Sequence, residues 1–514
     1  MLGRLGLLCL LSALQIAAAP ASASAKASST ATASSSSSSS SSKQNAKVLI
    51  LGAGVAGITA AINLQKAGVT DWLIIDAEPQ IGGRMQSQKL ANGLVVERGP
   101  NWVQGLNSSS GFNPIWRLAL DANLSTSISD FSNFTAYNLN GKAKGVDDLY
   151  DQYSDAFANF LSIAGTKLDQ NQFDYNARGG LFRAGWNPLT PEARAVEAYN
   201  YDMEFAQSPS DSSWTYSSVN TNDTFNLFSA DNALSIDQRG FSVILEHEFA
   251  PLNASSKLRL NTTVKKVAYS TSGVSVTTTG GQKFTGDYAI CTFSVGVLQN
   301  SDVTFSPSFP VWKQDAIDSF AMAVYTKIFI TFTEKFWAAN DQFALYVDPA
   351  VRARYVQFQF LDVEDFFPGS KTLFVTALGD QAVAVEARSE QDVQDEIVGI
   401  LKGMYGNKAN IVATSIYYPR WHSDPLYRGS YSNWPAGYSP LSQENLRAGL
   451  PAGKDARLLF AGEALSYQWY GFLHGAYYSA LDTTNGLIDS FKTSKLNESY
   501  YPVVYQSTQQ SITF

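Results

Sequence analysis

The residues best spaced for chemistry begin at Gly52-x-Gly54-x-x-Gly57. This motif follows the apolar run Val48-Leu-Ile-Leu51 and opens a helical stretch that lasts to Gly68. Trp72-Leu-Ile-Ile75 then ends in Asp76, 19 positions after Gly57. That order is the one a dinucleotide-binding βαβ unit requires. Gly52 permits the tight turn, Gly54 lets the backbone approach a pyrophosphate, and Gly57 lets helix and sheet pack closely. Asp76 is placed to accept hydrogen bonds from the adenosine ribose, and the phosphates sit over the helix N-terminus. The plainer alternative is a glycine-rich turn in an α/β protein with no ligand. Far along the chain, Lys327 interrupts the strand-like run Met322–Ile330. An ammonium among β-branched and aromatic residues is expensive unless paired or hydrated, so Lys327 is either functional or a gatekeeper on an edge strand. Tyr325, two positions earlier, shares its face. Glu204 is a further candidate acid on a helix, where a solvated face is the ordinary explanation.

The chain that must position these groups has 514 residues, too many for one small core, so two or more interleaved domains are expected. With 45% hydrophobic, 13% aromatic and only 16% charged residues it reads as globular. A net charge of −8 and a pI near 5.1 argue against nucleic acid or an anionic membrane surface as partner. The N-terminus has the pattern of a secretory signal: Arg4, an apolar core from Leu5 to Ile16, then Ala17-Ala-Ala-Pro20. Cleavage is expected near Ala19 (an uncleaved anchor is the alternative), followed by a disordered Ser/Ala-rich lead-in over 20–44. Secretion agrees with seven N-x-S/T sequons, at Asn107, Asn123, Asn133, Asn222, Asn253, Asn261 and Asn497. Only Cys9 and Cys291 exist, and Cys9 leaves with the signal, so the mature chain has no intrachain disulfide and its core must stand alone. Three dispersed histidines and one mature cysteine make a His/Cys metal site improbable, and no metal is expected. Cys291 lies in an apolar strand and reads as a buried, inert thiol.

Ile81-Gly82-Gly83-Arg84-Met85 comes directly after the acidic strand end. With it the chain resembles the flavin-containing amine oxidases, in which the first βαβ unit ends in an acidic residue and a GGR turn. The resemblance runs in order over about residues 45 to 490 and is nearest to secreted FAD-dependent polyamine oxidases. It implies that Gly83 and Arg84 meet the FAD pyrophosphate. Glu97-Arg-Gly99-Pro-Asn101-Trp102-Val-Gln104 is similar to the loop beside the flavin, with Trp102 near the ring and Gln104 facing a substrate tunnel. The plant enzymes carry Glu at the Gln104 position, so a charge able to hold an ammonium is missing here. Tyr199–Ala206 resembles the segment whose acid meets a substrate amine, which gives that role to Glu204. The strand at Val264 implies backbone contacts to adenine. In this family the lysine equivalent to Lys327 holds a water against flavin N5, and Tyr325 lines the same cavity.

Tyr418-Pro-Arg420-Trp421 and Tyr427-Arg-Gly429-Ser-Tyr431 resemble the family's second aromatic segment. This implies Trp421 near the flavin, Tyr427 on the cofactor and Tyr431 as one wall of an aromatic cage. Leu458-Leu-Phe460-Ala-Gly462-Glu463 and Tyr470-Gly471-Phe472-Leu-His474 match the C-terminal FAD signature. Glu463 is then expected on the ribityl or phosphate part, Gly471 close to the ring, and Phe472 as the second cage wall, where plant enzymes have Tyr. His474 has no triad partner and is expected to fix the loop. Monoamine oxidases attach FAD through a cysteine near this motif; none is present here, which implies non-covalent FAD.

The implied fold is α/β (α+β): a Rossmann-type FAD-binding domain of the glutathione-reductase-like kind, interleaved with a mixed sheet and helix substrate domain. Expected boundaries are 45–124, 225–317 and 432–495 for the FAD domain, 125–224 and 318–431 for the substrate domain, and 496–514 for a tail. The implied function is oxidation of a C–N bond of spermine, spermidine or acetylated forms by hydride transfer to flavin N5, with O2 as acceptor and H2O2 as product. An oxidase of other amines or of L-amino acids, with Arg420 as a carboxylate anchor, and a non-catalytic flavin-binding protein are the rivals. The expected partners are a small amine and O2, without nucleic acid or stable membrane association. The sequence is silent on oligomeric state, and a monomer is the default.

Overall fold

A computed structural model describes residues 44–503, apart from 171 and 407–409. The expected leader and nearly all of the serine-rich segment lie outside the described residues. The nucleotide motif folds as its pattern requires: β1 (Asn45–Leu51), α1 (Val55–Lys66) and β2 (Trp72–Ile75), with β1 and β2 parallel neighbours. Val48 to Leu51 and Leu73 to Ile75 are almost fully buried, as expected of parallel strands covered on both faces. Gly57 shows why the motif needs glycine inside a helix. A Cβ there would lie within the van der Waals envelope of the Gly52 carbonyl oxygen, so α1 could not sit this close to the turn.

One eight-stranded sheet gathers distant parts of the chain. Leu258–Arg259, β2, β1, Lys283–Cys291 and Leu458–Phe460 run parallel in that spatial order. The strand Lys283–Cys291 also pairs along its first half with Gly273–Thr278, which leads to Val264–Ser270 and Thr304–Ser306. The helix Leu473–Thr493 packs back against α1, and Asn63 Nδ2 donates to Thr484 Oγ1 at 2.7 Å.

A second, seven-stranded sheet is mostly antiparallel, in the order Ala413–Tyr417, Tyr325–Phe332, Thr372–Leu378, Gln357–Phe360, Phe343–Tyr346, Phe134–Asn138, Gly141–Lys142. A three-stranded sheet joins Trp102–Gln104 to Asn232–Ser235 and Thr126–Ile128. A long helix spans Val146–Asp169. The helix leading to Glu204 is α-helical over Pro191–Glu197, then widens into a π-helical turn at Ala198–Asp202 before Met203–Phe205. The strand expected over 322–330 is two strands. Ala321–Ala323 pairs with Tyr431–Asn433, and the chain turns at Val324, whose carbonyl accepts from Gly379 N–H, before entering the large sheet. The segment expected as a tail begins as core, because Leu496 and Tyr500 are buried.

The packing at Gly57 yields a direct test. Gly57→Val forces α1 away from β1, and overpacking of this kind costs about 1–3 kcal/mol. A lowered thermal midpoint is expected in unfolding measurements; a midpoint equal to that of the unsubstituted chain would show that α1 has room to move.

Candidate functional site

A cavity of about 450 Å³ runs between the two large sheets and is walled by residues from 52 to 476. Its first end is the nucleotide motif. Gly52, Gly54, Val55 and Ala56 line it, and no side chain caps the start of α1. The opening N–H groups of that helix are therefore available to an anion. Gly83 takes a left-handed φ of 58°, and a Cβ there would lie 3.1 Å from Gly54 Cα, so the GGR turn rests directly on the glycine motif. Asp76 also lines this end and accepts from Glu78 N–H at 2.7 Å and from Ala53 N–H. Val264 forms part of the same wall. Tyr427 donates to Glu78 Oε1 at 2.8 Å and meets the Trp421 ring edge-on at 5.0 Å. Glu78 was not expected here, although its place two residues after Asp76 repeats the acid.

The middle of the cavity is organised by a desolvated ion pair. Arg84 Nη1 donates to Glu463 Oε1 at 2.8 Å and to the Ser430 carbonyl at 2.9 Å. Glu463 accepts further from Gly471 N–H at 2.7 Å, from Ser432 N–H at 3.3 Å and from the Ser432 hydroxyl. Arg84, Glu463 and Gly471 all line the cavity. Gly471 has φ of 81°, and a Cβ there would stand 3.1 Å from the Ser432 carbonyl, so glycine is required. The helix Leu473–Thr493 starts immediately after Phe472, again with no side-chain cap, and Leu473, His474 and Ala476 face the cavity.

The far end carries the remaining candidates. Lys327 is 2% exposed; its strand pairs with Thr372–Leu378 at that position and with Ala413–Tyr417 only from Phe329 on, so it is burial that rules out a solvent-facing gatekeeper lysine. Its Nζ donates to the Gly99 carbonyl, and burial pushes its pKa down to about 7 against an opposing pull from Glu97. Tyr325 shares the face and the cavity, accepts from Thr376 Oγ1 at 3.4 Å, and its ring lies 6.0 Å from that of Tyr431. Tyr431 OH donates to the Glu204 carbonyl at 3.1 Å. Phe472 stacks on His474 at 4.8 Å. His474 is neutral, its pKa pushed down to about 3 by burial, and rests between Asn113 Nδ2 at 3.4 Å and Thr224 Oγ1 at 3.3 Å. Trp102 lines the cavity and donates to Ser129 Oγ at 2.9 Å.

The Glu204 carboxylate faces the cavity and takes only weak hydrogen bonds from Gln104 Nε2, at 3.3 and 3.4 Å. Enclosure away from bulk water pushes its pKa up to about 7. The π-helical turn just before it is clamped by a buried network. Arg352 reaches Glu197 at 2.7 Å and Asp202 at 2.7 Å, while Arg178 pairs with Glu197 and Trp186 Nε1 donates to it at 3.0 Å. Arg420 is a correction: it lies off the cavity wall and donates through Nε to the Glu386 carbonyl at 3.0 Å, so it is not placed to anchor a substrate carboxylate.

The site suits a dinucleotide cofactor carrying a flavin: an uncapped helix start and glycine cradle for the phosphates, an acid at the end of β2, and a second helix start at the opposite end. Among the described residues Cys291 is the only cysteine; it lies off the cavity wall, and burial pushes its thiol up to about 12, so it is not placed to bond a flavin. A family model described as flavin containing amine oxidoreductase matches residues 55–488. "Polyamine oxidase 1" of Zea mays is 35% identical over 464 residues, covering 86% of this chain and 90% of that protein. "Polyamine oxidase 7" of Oryza sativa subsp. japonica is 34% identical over 456 residues, covering 85% and 93%. "Lysine-specific histone demethylase 1 homolog 2" of the same rice is 27% identical and is covered over 59% of its length. Among solved structures, putrescine oxidase bound to putrescine shares the fold with a TM-score of 0.68 at 16% identity, covering 87% of this chain and 99% of that one. The chain therefore belongs to the flavin-containing amine oxidoreductases and is an amine oxidase that holds FAD without a covalent bond.

Proposed function

We propose that this enzyme is a polyamine oxidase acting on spermine, spermidine or their acetylated forms, with segments 45–124, 225–317 and 432–495 holding FAD and segments 125–224 and 318–431 shaping the substrate channel. The observation that carries the reading is Glu204: a carboxylate on the wall of a cavity that Tyr431 and Phe472 also line, with no cation bonded to it among the described residues. An elongated amine satisfies both features at once. One nitrogen, neutral so that its lone pair stabilises the developing iminium, lies between the rings; a distant ammonium meets Glu204. FAD, which the glycine motif, Asp76, Arg84 and Glu463 would hold, would supply the hydride acceptor for the carbon beside that nitrogen and the route for its electrons to O2, with H2O2 as product.

The chain's own residues orient and tune. Tyr431 and Phe472 restrict the reacting carbon to one approach. Gln104 steadies Glu204 without adding a charge, so the pair favours substrates with a single distant ammonium over those needing two anions. Lys327, poised near neutrality, holds a water and exchanges a proton with it. The amino-acid oxidase reading weakens, since the cavity's cations are engaged elsewhere: Arg84 with Glu463, Arg98 with Gln86 and the Trp421 face, Lys327 with Gly99. The N-terminal pattern and the sequons support a secreted glycoprotein whose 1–19 segment is removed. Six of the seven sequon asparagines are exposed, and Asn133 is half-buried and donates to the Asn340 carbonyl.

Three outcomes test this reading. Anaerobic mixing with spermidine, spermine and acetylated forms bleaches the flavin, and mass spectrometry of the products identifies the cleaved bond; bleaching by monoamines or amino acids alone would overturn the proposal. Lys327→Met keeps the yellow cofactor but slows turnover roughly 100-fold, the usual scale for a lost proton-transfer group; an unchanged rate removes its role. Glu204→Gln raises KM for polyamines about tenfold, equivalent to about 1.4 kcal/mol of lost ammonium binding. Because the Glu204 pKa is raised to about 7, the carboxylate that holds the ammonium exists above that pH and is lost as pH falls through it. The native kcat/KM therefore carries a decline below about 7 that Glu204→Gln lacks.

A further inference from the structure

Two cavity-lining residues that the reaction above uses, Gln104 and Phe472, are joined through two buried side chains that it does not use. Asn113 is 0% exposed and His474 2% exposed, and both also line the cavity. Asn113 caps the helix Pro114–Asp121, where its Oδ1 accepts from Ile115 N–H at 2.9 Å. That cap fixes which end of the amide is oxygen, because a flipped amide would set its NH2 group against another N–H. The Nδ2 end then faces three atoms. It donates to the Gln104 carbonyl at 3.0 Å and to the Gly105 carbonyl at 2.8 Å, and lies 3.4 Å from His474 Nδ1.

An amide NH2 has hydrogens to give and no free lone pair, so it meets His474 Nδ1 only as a donor. Nδ1 is therefore the ring nitrogen without a hydrogen. Nε2 carries it and donates to Thr224 Oγ1 at 3.3 Å. Thr224 belongs to another π-helical turn, Asn222–Asn226. A Cβ on Gly105 would stand 2.9 Å from the Thr224 carbonyl oxygen, so the two segments that anchor His474 also pack on each other. Phe228 and Trp469 meet the imidazole in T-shaped contacts, with centroids 5.5 and 5.9 Å away. Held in this way, the ring presents one face to Phe472, stacked at 4.8 Å with 18° between the planes. The plane of Phe472 follows that of His474, and His474 is tied through one amide to the backbone that carries Gln104.

We infer that Asn113 and His474 are positioning residues that fix the spacing between the Phe472 face, where an amine reacts, and the Gln104–Glu204 end, where its distant ammonium binds. They thereby select substrates by the number of methylenes between the two nitrogens. The selection rests on the polyamine reading of the cavity, whereas the pairing of Asn113 with His474 is tested without it. The chain has three histidines, of which His247 and His422 are exposed. Heavy-nitrogen NMR of histidine-labelled, FAD-loaded protein, with His474→Gln to assign the signal, shows the His474 ring in the Nε2–H form. Asn113→Asp keeps one oxygen for the Ile115 cap and turns the other toward Nδ1, so Nδ1 gains a hydrogen. A native ring with its hydrogen on Nδ1, or a folded Asn113→Asp without the switch, overturns the pairing. If Asn113→Asp does not fold, the native spectrum and two variants at Thr224 decide. Thr224→Val lacks the hydroxyl and changes the preference between amines differing by one methylene about tenfold, the lower end of what one methylene decides in a pocket. Its FAD content stays native. Thr224→Ser keeps the hydroxyl and the native preference. Native selectivity in Thr224→Val, or an equal loss in Thr224→Ser, overturns the positioning role. Monoamines of graded length run in the same series: if they alone are oxidised, the polyamine reading falls and the methylene preference is compared on them.

Discussion

The structure depends on one charged contact: Arg84, from the turn that closes the first βαβ unit, held on Glu463, from the short helical turn just after the last strand of the same sheet. A buried pair of this kind stabilises only if the remaining lone pairs are filled. Here Gly471 and Ser432 fill them, so the carboxylate ties together the nucleotide turn, the strand Tyr431–Asn433 and the start of the final helix. Those elements carry the glycine cradle, Tyr431 and Phe472, all of which line the cavity. Moving any of them strands a charge in a low-dielectric interior, which fixes cofactor cleft and substrate cavity relative to each other.

The substrate side uses the same device differently. Glu204 follows a π-helical turn, a widening that interrupts regular helix packing and is common at functional sites. Arg352 and Arg178 neutralise the two acids that flank this turn, Glu197 and Asp202. With those charges satisfied, the acid left over at 204 projects toward the cavity without a cation of its own. Lys327 is likewise buried, and its amine is held by the Gly99 carbonyl and not by a carboxylate. The site thus keeps two groups near neutrality by withholding full partners from both.

Much of this was legible in the sequence where the determinants are local. Gly52, Gly54, Gly57 and Asp76 announce themselves because turn, helix start and strand end lie within one short stretch. Lys327 stands out because an ammonium conflicts with its apolar strand. Roles for Trp102, Tyr431, Phe472 and Glu463 came from resemblance, since aromatic and acidic residues in loops carry no spacing rule of their own. Hidden from sequence was whatever depends on distant pairing: the Arg84–Glu463 contact across 379 positions, the break at Val324, and the remoteness of Arg420 from the cavity.

The parallel strand Leu458–Phe460 enters the sheet beside Lys283–Cys291 only after nearly nine-tenths of the chain has been made. Until the ribosome has delivered it, Arg84 lacks its counter-ion and the nucleotide groove lacks a wall. The early glycine motif can shape itself soon after synthesis begins, but the holoprotein is a late event. The cofactor groove is therefore closed by one of the last parts of the chain to be made, and it is complete only once that strand and Glu463 are in place.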